Sequence, residues 1–206
     1  MAAPNREAHW QKVYLEKGEQ EVSWTQGLPE PSLGLIQRFT PSPQASIVDV
    51  GGGTSHLVDA LCDRGYQRLA VLDLSQAALA TAKRRLGPRG ASVQWIAADV
   101  TEWEPEHRFD LWHDRAAFHF LVEPDDRKAY LDRLLRGVKA GGHAIIATFA
   151  LDGPEKCSGL PVRRYDPAGL SEVVGNAFEL VAHQPHRHTT PWSATQSFQF
   201  SVLRRR

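Results

Sequence analysis

Short apolar runs separated by glycine-rich and polar segments form the dominant pattern of this chain. The first run places Ile47, Val48 and Val50 around one acid, Asp49, and stops at the glycines of residues 51–53. β-Branched residues that end at a glycine cluster are typical of a buried parallel strand followed by a tight turn. The apolar positions beyond the turn recur at helical spacing, at Leu57, Val58, Leu61 and Cys62. The pattern therefore predicts a strand–turn–helix unit.

The alternation of strand and helix patterns then continues along the chain. Apolar runs predict strands at 69–74, 93–97, 109–112 and 143–149, and Ser75 is placed to cap the helix after the second strand. Strands joined through helices form a parallel sheet with right-handed crossovers. Residues 177–186 and 195–203 alternate in the manner of an antiparallel hairpin, after a helix at 167–174. The sequence predicts an α/β fold.

The first 43 residues are interpreted as an N-terminal helical cap, and residues 44–206 as the main domain. Trp10, Tyr14 and Trp24 lie in a polar leader that ends in prolines, and a helix begins at Ser32. We expect Tyr14 and Trp24 to close over a bound ligand. For Trp10, a structural role at the sheet edge stays open beside that one.

The glycine turn and the second strand together indicate a nucleoside. Gly51 and Gly53 leave no Cβ between the backbone and a ligand, and the following helix begins with free N–H groups. Asp73 ends the second strand, where a carboxylate holds both ribose hydroxyls. His56 replaces a small residue of the dinucleotide fingerprint, and Asp49 is an acid that a pyrophosphate would repel. Adenosine carrying an amine or a cation fits better than NAD.

These residues resemble a known family, the class I S-adenosylmethionine-dependent methyltransferases. The resemblance rests on Asp49-x-Gly51-x-Gly53, on Asp73, on Ala98-Asp99-Val100 and on Phe109-Asp110. It implies a Rossmann-like three-layer sandwich, with a mostly parallel seven-stranded sheet whose last strand is antiparallel. It also implies S-adenosyl-L-methionine as cofactor, with the adenine amino group at Asp99 and the ring at the Val100 N–H. Turn capping is the alternative role for Asp99. The cofactor-binding residues expected are Tyr14, Trp24, Asp49, Gly51, Gly53, Asp73, Leu74, Asp99, Val100 and His113.

The stretch after the fourth strand is expected to form the edge where methyl transfer occurs. Ligands bind beyond the carboxyl ends of the strands in open parallel sheets. We expect His119 to act as a base and Arg115 to orient the acceptor, while Phe118 excludes water. The alternatives are that Asp114 and Arg115 pair with each other or with the N-terminal cap, and that His119 is a buried structural histidine.

A loop at 151–166 follows the fifth strand and is longer than a connector requires. Arg163 and Tyr165, with Cys157 nearby, are candidates for holding a polar or anionic substrate group. A plain surface loop is the competing interpretation. Cys157 is not expected to be a nucleophile.

Composition narrows the classes of partner. The 206 residues carry a formal net charge of zero, which gives no support for nucleic acid or a membrane surface. Two cysteines and a start without an apolar run predict a cytoplasmic protein without disulfides. His186 and His188 share one strand face, but no carboxylate or cysteine pair lies at ligand spacing, so no metal site is predicted.

The sequence therefore predicts methyl transfer to a small-molecule substrate. The absence of an inserted substrate domain and a cap able to enclose a compact acceptor favour it. Methylation of a protein lysine is the alternative, because the Trp-Tyr leader also occurs in enzymes of that kind. A cofactor-binding module without catalysis is a third reading. Oligomeric state is not indicated.

Overall fold

Seven strands form one sheet in the computed structural model, which describes residues 6–18 and 21–206. The strands of the sheet are β1 (Ser46–Val50), β2 (Arg68–Asp73), β3 (Gln94–Ala97), β4 (Phe109–Arg115), β5 (Val138–Phe149), β8 (Phe178–Thr189) and β9 (Thr195–Arg205). Their order is β3-β2-β1-β4-β5-β9-β8. Strands β1 to β5 are parallel, and β9 runs antiparallel between β5 and β8. The predicted α/β sandwich with an antiparallel last strand is confirmed.

Helices cover both faces of the sheet. They are α1 (Arg6–Glu16), α2 (Ser32–Phe39), α3 (Leu57–Asp63), α4 (Gln76–Leu86), α5 (Pro124–Gly137) and α6 (Pro167–Val174). One core packs α2, α3 and α4 against the sheet, and a second packs α5 and α6 against the opposite face. Alternate residues of β1 serve the two cores, with Ile47 in the first and Val48 in the second. The sheet is therefore buried on both faces, as continuous apolar runs predict.

Two strands extend beyond the ranges predicted from their apolar residues. Strand β4 continues through the polar residues His113, Asp114 and Arg115. Strand β5 begins at Val138, and its register with β4 shifts near a glycine pair that includes Gly141 at φ 76°. Polar residues at strand ends and glycines within a strand both hide a strand from an apolar pattern. A two-stranded ribbon of β6 (Lys156–Cys157) and β7 (Leu160–Pro161) was also not predicted.

The N-terminal segment divides into two parts with different packing. Helix α1 contains no buried residue and lies across the carboxyl ends of the strands, where Gln11 Oε1 accepts hydrogen bonds from Ser75 Oγ at 3.0 Å and Ala77 N at 3.3 Å. In contrast, Leu33 and Ile36 of α2 are fully buried in the main core. The boundary after residue 43 stays a prediction. Within the described residues, no helix combines the length and apolar character that crossing a bilayer requires.

Candidate active site

A cavity lies between α1 and the carboxyl ends of the parallel strands. It holds about 870 Å³ of empty space, a volume that includes open solvent at its mouth. Strands β1 to β3 contribute residues to one side, and β4, β5, β6 and β9 contribute to the other. The lining residues used below are Arg6, Trp10, Tyr14, Trp24, Gly51, Asp73, Leu74, Asp99, Val100, Arg115, Phe120, Phe149, Cys157, Gln196 and Phe198. The cavity is at the sheet edge where the strand pattern predicted it.

The turn after β1 brings the backbone directly against the cavity. Gly51 and Gly53 have φ values of 69° and 49°, in the left-handed region that side chains disfavour. A Cβ on Gly51 would lie 2.7 Å from Ala117 Cβ, and one on Gly53 would lie 2.5 Å from the Tyr14 hydroxyl. The backbone N–H groups of Gly51 and Gly52 both donate to Leu72 O, at 2.8 and 3.2 Å. This bare turn is a cradle that fits a nucleoside cofactor and that any side chain would fill.

Asp73 ends β2 inside the cavity and is 6% exposed. Its Oδ1 accepts a hydrogen bond from Ser75 N at 2.8 Å. Burial raises the pKa of Asp73 to about 7, and nearby Asp49 adds to the rise, while the hydrogen bonds from Ser75 and Gly53 oppose it. A buried carboxylate is stabilised by further hydrogen-bond donors, and the two hydroxyl groups of a ribose can supply them.

Asp99, at the end of β3, performs the turn capping that was the alternative to adenine binding. Its Oδ1 accepts from Thr101 N at 2.8 Å and from Thr101 Oγ1 at 2.7 Å. Its Oδ2 pairs with Arg6 Nη2 of α1 at 2.8 Å. Arg6 Nη1 also reaches Asp126 Oδ2 at 2.9 Å. An amino group can therefore reach Oδ2 of Asp99 only by sharing it with Arg6 or displacing Arg6.

Aromatic side chains of the N-terminal segment form a roof over the cavity. The Trp10 ring meets Trp24 edge-on at 5.7 Å and Phe120 at 5.0 Å, and Tyr14 meets Trp24 at 6.0 Å. Burial, with Asp73 beside it, raises the pKa of Tyr14 well above its usual value, although a hydrogen bond from the Trp24 indole opposes this. Tyr14 is therefore a neutral phenol at physiological pH. The structure brings Trp10 into the lining together with the two aromatics expected there.

Arg115 ends β4 and points its guanidinium into the interior. Nη1 donates to the Trp24 carbonyl at 3.0 Å, while Nε and Nη2 are inaccessible to water and have no hydrogen-bond partner among the described residues. Its guanidinium carbon lies 5.1 Å from the centre of the Phe198 ring. Burial lowers the pKa of Arg115 to about 10, with the charge of Asp49 opposing the shift. The group is still a cation at neutral pH.

Of the alternatives for Asp114 and Arg115, pairing with each other is absent from the described contacts, whereas Arg115 does bond to the N-terminal cap, at the Trp24 carbonyl. Asp114 Oδ1 accepts from Ala117 N at 2.9 Å, and its Oδ2 accepts from the Tyr130 hydroxyl at 2.8 Å. Burial raises the pKa of Asp114 to about 6, although these hydrogen bonds favour the ionised form. Asp114 thus holds the turn at residues 116–118, in which Ala116 has a φ of 69°. Ala116 and Ala117 line the cavity, so Asp114 shapes the site from behind.

Asp49 and His113 occupy positions behind the glycine turn. His113 Nδ1 lies 2.7 Å from Asp49 Oδ1, and His113 Nε2 lies 2.8 Å from Ser32 Oγ. All three side chains are buried, and they line a smaller pocket that adjoins the main one at Gly51 and Arg115. Both residues were expected to contact the cofactor. Because Nδ1 and Nε2 of His113 are both occupied, by Asp49 and by Ser32 of α2, the structure gives His113 the role of joining α2 to the sheet. Contact of Asp49 with the cofactor stays a prediction.

His119 is buried beneath the cavity wall and not in its lining. Its ring packs against Phe120 at 4.5 Å and Phe149 at 4.8 Å, and those two residues line the cavity instead. Burial, with the charge of Arg115 adding to it, lowers the pKa of His119 to about 3. A histidine so difficult to protonate is a weak general base. This geometry argues against the catalytic role expected from the sequence.

Three residues expected to contact substrate lie outside the cavity lining. Phe118 is fully buried in the core on the other face of the sheet, where it packs on Tyr130 at 4.7 Å and Tyr165 at 5.6 Å. Arg163 is exposed and lies over the Tyr165 ring at 5.6 Å. The 151–166 loop reaches the cavity through a different residue, Cys157, whose pKa burial raises to about 11.

Residues from the C-terminal hairpin were missed by sequence reasoning. Gln196 and Phe198 of β9 line the cavity, and Phe198 packs on Phe149 of β5 at 4.8 Å. The alternation of residues 196, 198 and 200 along the strand would have placed them on one face, but not at the site. Of the two histidines weighed as metal ligands, His188 lies 2.5 Å from Ser23 O through Nε2. Within the described residues, no group of three or more potential ligand side chains is arranged to hold a metal ion.

Comparison with known proteins identifies the domain. Residues 47–142, from β1 into β5, match the family described as a methyltransferase domain. This stretch therefore resembles the class I methyltransferases. S-adenosyl-L-methionine is the methyl donor of this family, and the glycine cradle and buried Asp73 fit its adenosine part. A bound donor presents an electrophilic sulfonium methyl group.

Individual relatives of this methyltransferase are distant. The eEF1A lysine and N-terminal methyltransferase of Bos taurus is 24% identical over 149 residues, which are 69% of this chain and 21% of that protein. The malonyl-[acyl-carrier protein] O-methyltransferase of Anoxybacillus flavithermus is 31% identical over 117 residues, which are 56% of this chain and 42% of that protein. The chain thus spans about a fifth of the length of the first relative.

Solved structures share the fold of this methyltransferase at low identity. A SAM-dependent methyltransferase of Anabaena variabilis superposes with a TM-score of 0.77 at 14% identity, covering 99% of this chain and 96% of that chain. The 1,6-didemethyltoxoflavin-N1-methyltransferase of Burkholderia thailandensis, solved with its substrate and S-adenosylhomocysteine, has a TM-score of 0.73 at 20% identity. That superposition covers 100% of this chain and 91% of the other.

Proposed function

We propose that this methyltransferase moves a methyl group from S-adenosylmethionine to a small-molecule acceptor. The observation that carries the proposal is the enclosed aromatic cavity, in which Trp10, Trp24, Phe120, Phe149 and Phe198 surround the space beyond the glycine turn. A cavity of this kind buries a compact ligand on most sides and excludes water from the reacting atoms.

The roles assigned to the donor side follow from position. Asp73 accepts the ribose hydroxyls, and the Gly51 backbone lies against the cofactor without a Cβ. Val100 and Leu74 border the adenine, and Asp99 takes its amino group beside Arg6. Tyr14 and Trp24 close over the cofactor from α1 and the segment after it. These groups bind and orient the donor, and alignment of the acceptor behind the methyl group is the main contribution to rate.

No strong general base lines the cavity among the described residues. Asp73 is committed to the ribose in this proposal, Cys157 has a raised pKa, and Tyr14 is a neutral phenol. His119 lies behind the lining residues Phe120 and Phe149, and its pKa is too low for efficient proton abstraction. We infer that the acceptor atom attacks without losing a proton to the protein, as an anion or an un-ionised amine can.

Methylation of a protein lysine is the second candidate, favoured by the name of the bovine relative and by the Trp-Tyr leader. The charge in the cavity opposes it. Arg115 is a buried cation whose Nε and Nη2 have no partner in the described structure, and it would repel a lysine ammonium entering the same space. An acidic, open groove would have favoured lysine.

The donor assignment is tested by calorimetric titration of S-adenosylhomocysteine into the wild type, Asp73→Ala and the control Asp132→Ala, a half-buried residue of α5 outside the cavity lining. Each hydrogen bond to a charged group contributes about 1.5–3 kcal/mol, so losing two of them predicts roughly a 100-fold or greater loss of affinity for Asp73→Ala. The control is expected to keep the wild-type affinity. Equal affinity for all three proteins would contradict the ribose role.

The acceptor class is tested with radiolabelled S-adenosylmethionine and a fractionated cell extract. We expect label in the small-molecule fraction. Label confined to protein would favour the lysine alternative, and binding of the donor without label in any fraction would favour a module that does not catalyse.

A further inference from the structure

Arg115 is a charged residue of the cavity that the donor assignments above leave without a role. Of its three side-chain nitrogens, Nη1 alone has a partner in the described structure, the Trp24 carbonyl at 3.0 Å. A guanidinium carries five N–H donors, and leaving most of them buried and unpaired costs free energy. A protein retains such a group at a binding site when a ligand supplies the missing acceptors.

The surroundings of Arg115 supply no counter-ion in direct contact. The charge of Asp49 acts on it through space, but Asp49 Oδ1 is held by His113 at 2.7 Å, and no described ion pair joins Asp49 to Arg115. The other groups that sense its charge are Cys157, His119, His186 and His188, and Arg115 lowers the pKa of each. None of the four supplies an anion at neutral pH.

The guanidinium also reaches the β9 side of the cavity. Its carbon lies 5.1 Å from the centre of the Phe198 ring, and Phe198 belongs to β9. In the sheet, β9 is separated from β1 by β4 and β5, so adjacent-strand spacing of about 4.8 Å puts β9 roughly 14 Å from β1. Gln196 and Cys157 also line the cavity. A group bound beside Phe198 is on the side of the cavity that the adenosine assignments leave free, and an acceptor can occupy that side.

We propose that the acceptor carries a carboxylate, which Arg115 holds through its Nε and Nη2 donors at the β9 side of the cavity. This rests on the proposed function and adds the substrate class. Two parallel N–H donors match the two oxygens of a carboxylate and fix its plane, which orients the rest of the acceptor among the aromatic rings. Trp24 closes over the pair through its own bond to Nη1.

The test uses carboxylates and their neutral amides as matched probes. Acetate, acetamide, benzoate and benzamide are titrated into the full chain saturated with S-adenosylhomocysteine at pH 7.5, and binding is followed by tryptophan fluorescence. We expect at least one carboxylate to bind about 10-fold or more tightly than its amide, as charge-assisted hydrogen bonds predict. If no carboxylate binds better than its amide in protein that binds S-adenosylhomocysteine, the proposal is overturned.

Variants assign the preference to Arg115. Arg115→Gln is expected to remove the discrimination between carboxylate and amide, and Arg187→Gln, at an exposed arginine on β8, is expected to retain it.

The cofactor also carries a carboxylate, so Arg115→Gln and wild type are titrated with S-adenosylhomocysteine and with 5′-methylthioadenosine, which lacks a carboxylate. Equal affinity of Arg115→Gln and wild type for both nucleosides supports the proposal. A loss confined to S-adenosylhomocysteine assigns Arg115 to the cofactor and overturns it. If Arg115→Gln does not fold, the probe pairs on the wild type decide. Failure of S-adenosylhomocysteine to bind wild type contradicts the proposed function instead.

Discussion

The two sides of the cavity are built in different ways. The donor side comes from short motifs at the ends of consecutive strands, with Gly51 after β1, Asp73 at β2 and Asp99 at β3. The acceptor side brings Cys157 and Phe198 together from segments far apart in the chain. The residues that bind the shared donor lie in short sequence motifs, while the residues that bind a particular acceptor come together only in the tertiary structure. The comparison explains why a sequence identifies a cofactor more readily than a substrate.

The largest expected effect comes from a substitution that disrupts only the donor side of the cavity. Gly51→Val adds a branched side chain at a φ of 69°, where even a Cβ would lie 2.7 Å from Ala117 Cβ. Left-handed backbone costs a non-glycine residue about 1–2 kcal/mol, and the side chain also fills the space for the cofactor. Together these predict roughly a 100-fold or greater loss of S-adenosylhomocysteine affinity, measured by calorimetry.

The matched control for that variant is Gly65→Ala. Gly65 also has a positive φ, of 81°, but a Cβ there meets nothing within 4 Å and lies far from the cavity. We expect it to share the backbone strain while retaining the affinity. Weakened binding in both variants would mean that general destabilisation, and not the cradle, explains the loss.

The donor side was predictable because its signals are local. Glycines after a β-branched strand and an acid at the end of the next strand can be recognised within a few residues, and so can the serine cap of α4, which accepts from Ala78 N at 3.2 Å. The parallel order of the sheet follows from the same repetition, since helices that join strands impose right-handed crossovers. The burial of a strand can be predicted from the strand alone when all of its residues are apolar.

The acceptor side was less predictable because proximity in sequence does not give direction in space. Arg115 and Phe118 lie three residues apart, but the turn between them sends Arg115 into the cavity and Phe118 into the opposite core. His119 follows at once and is covered by Phe120 and Phe149. No pattern in one segment shows which of these side chains faces the ligand, since the hairpin that completes the wall lies about eighty residues later, at Gln196 and Phe198.

The second prediction concerns the pH dependence of cofactor affinity, which is expected from the donor side alone. The pKa of Asp73 is raised to about 7, and its carboxylate form is the one that accepts ribose hydroxyls. Binding below pH 7 must therefore release a proton, so affinity falls as the pH falls. Linkage predicts about a 10-fold weaker S-adenosylhomocysteine affinity at pH 6 than at pH 8 if the bound carboxyl stays ionised. Calorimetry across that range measures the change.

Asp73→Asn provides the control for the pH profile. An amide does not titrate, so the residual affinity of this variant should be nearly constant between pH 6 and pH 8. Arg115 has a pKa of about 10 and does not change charge in that range. A profile that keeps the wild-type slope in Asp73→Asn would assign the dependence to another group.

The smallest expected effect is on the acceptor side, at Phe198→Leu. Phe198 is 2% exposed and packs on Phe149 at 4.8 Å, with Arg115 over its ring at 5.1 Å. Loss of the aromatic pair and the cation–π contact predicts a decrease of about 1–2 kcal/mol in the free energy of unfolding, measured by denaturant titration. Because the ring lies away from the adenosine, S-adenosylhomocysteine affinity should change less than about twofold.

Phe178→Leu, in the second core near the opposite end of the hairpin, is the matched variant. Both should lose stability, but only Phe198→Leu should weaken the carboxylate probes, because only Phe198 supports the guanidinium. If Phe198→Leu weakens the nucleoside as much as the probes, the two sides of the cavity are energetically one site and the distinction between them fails.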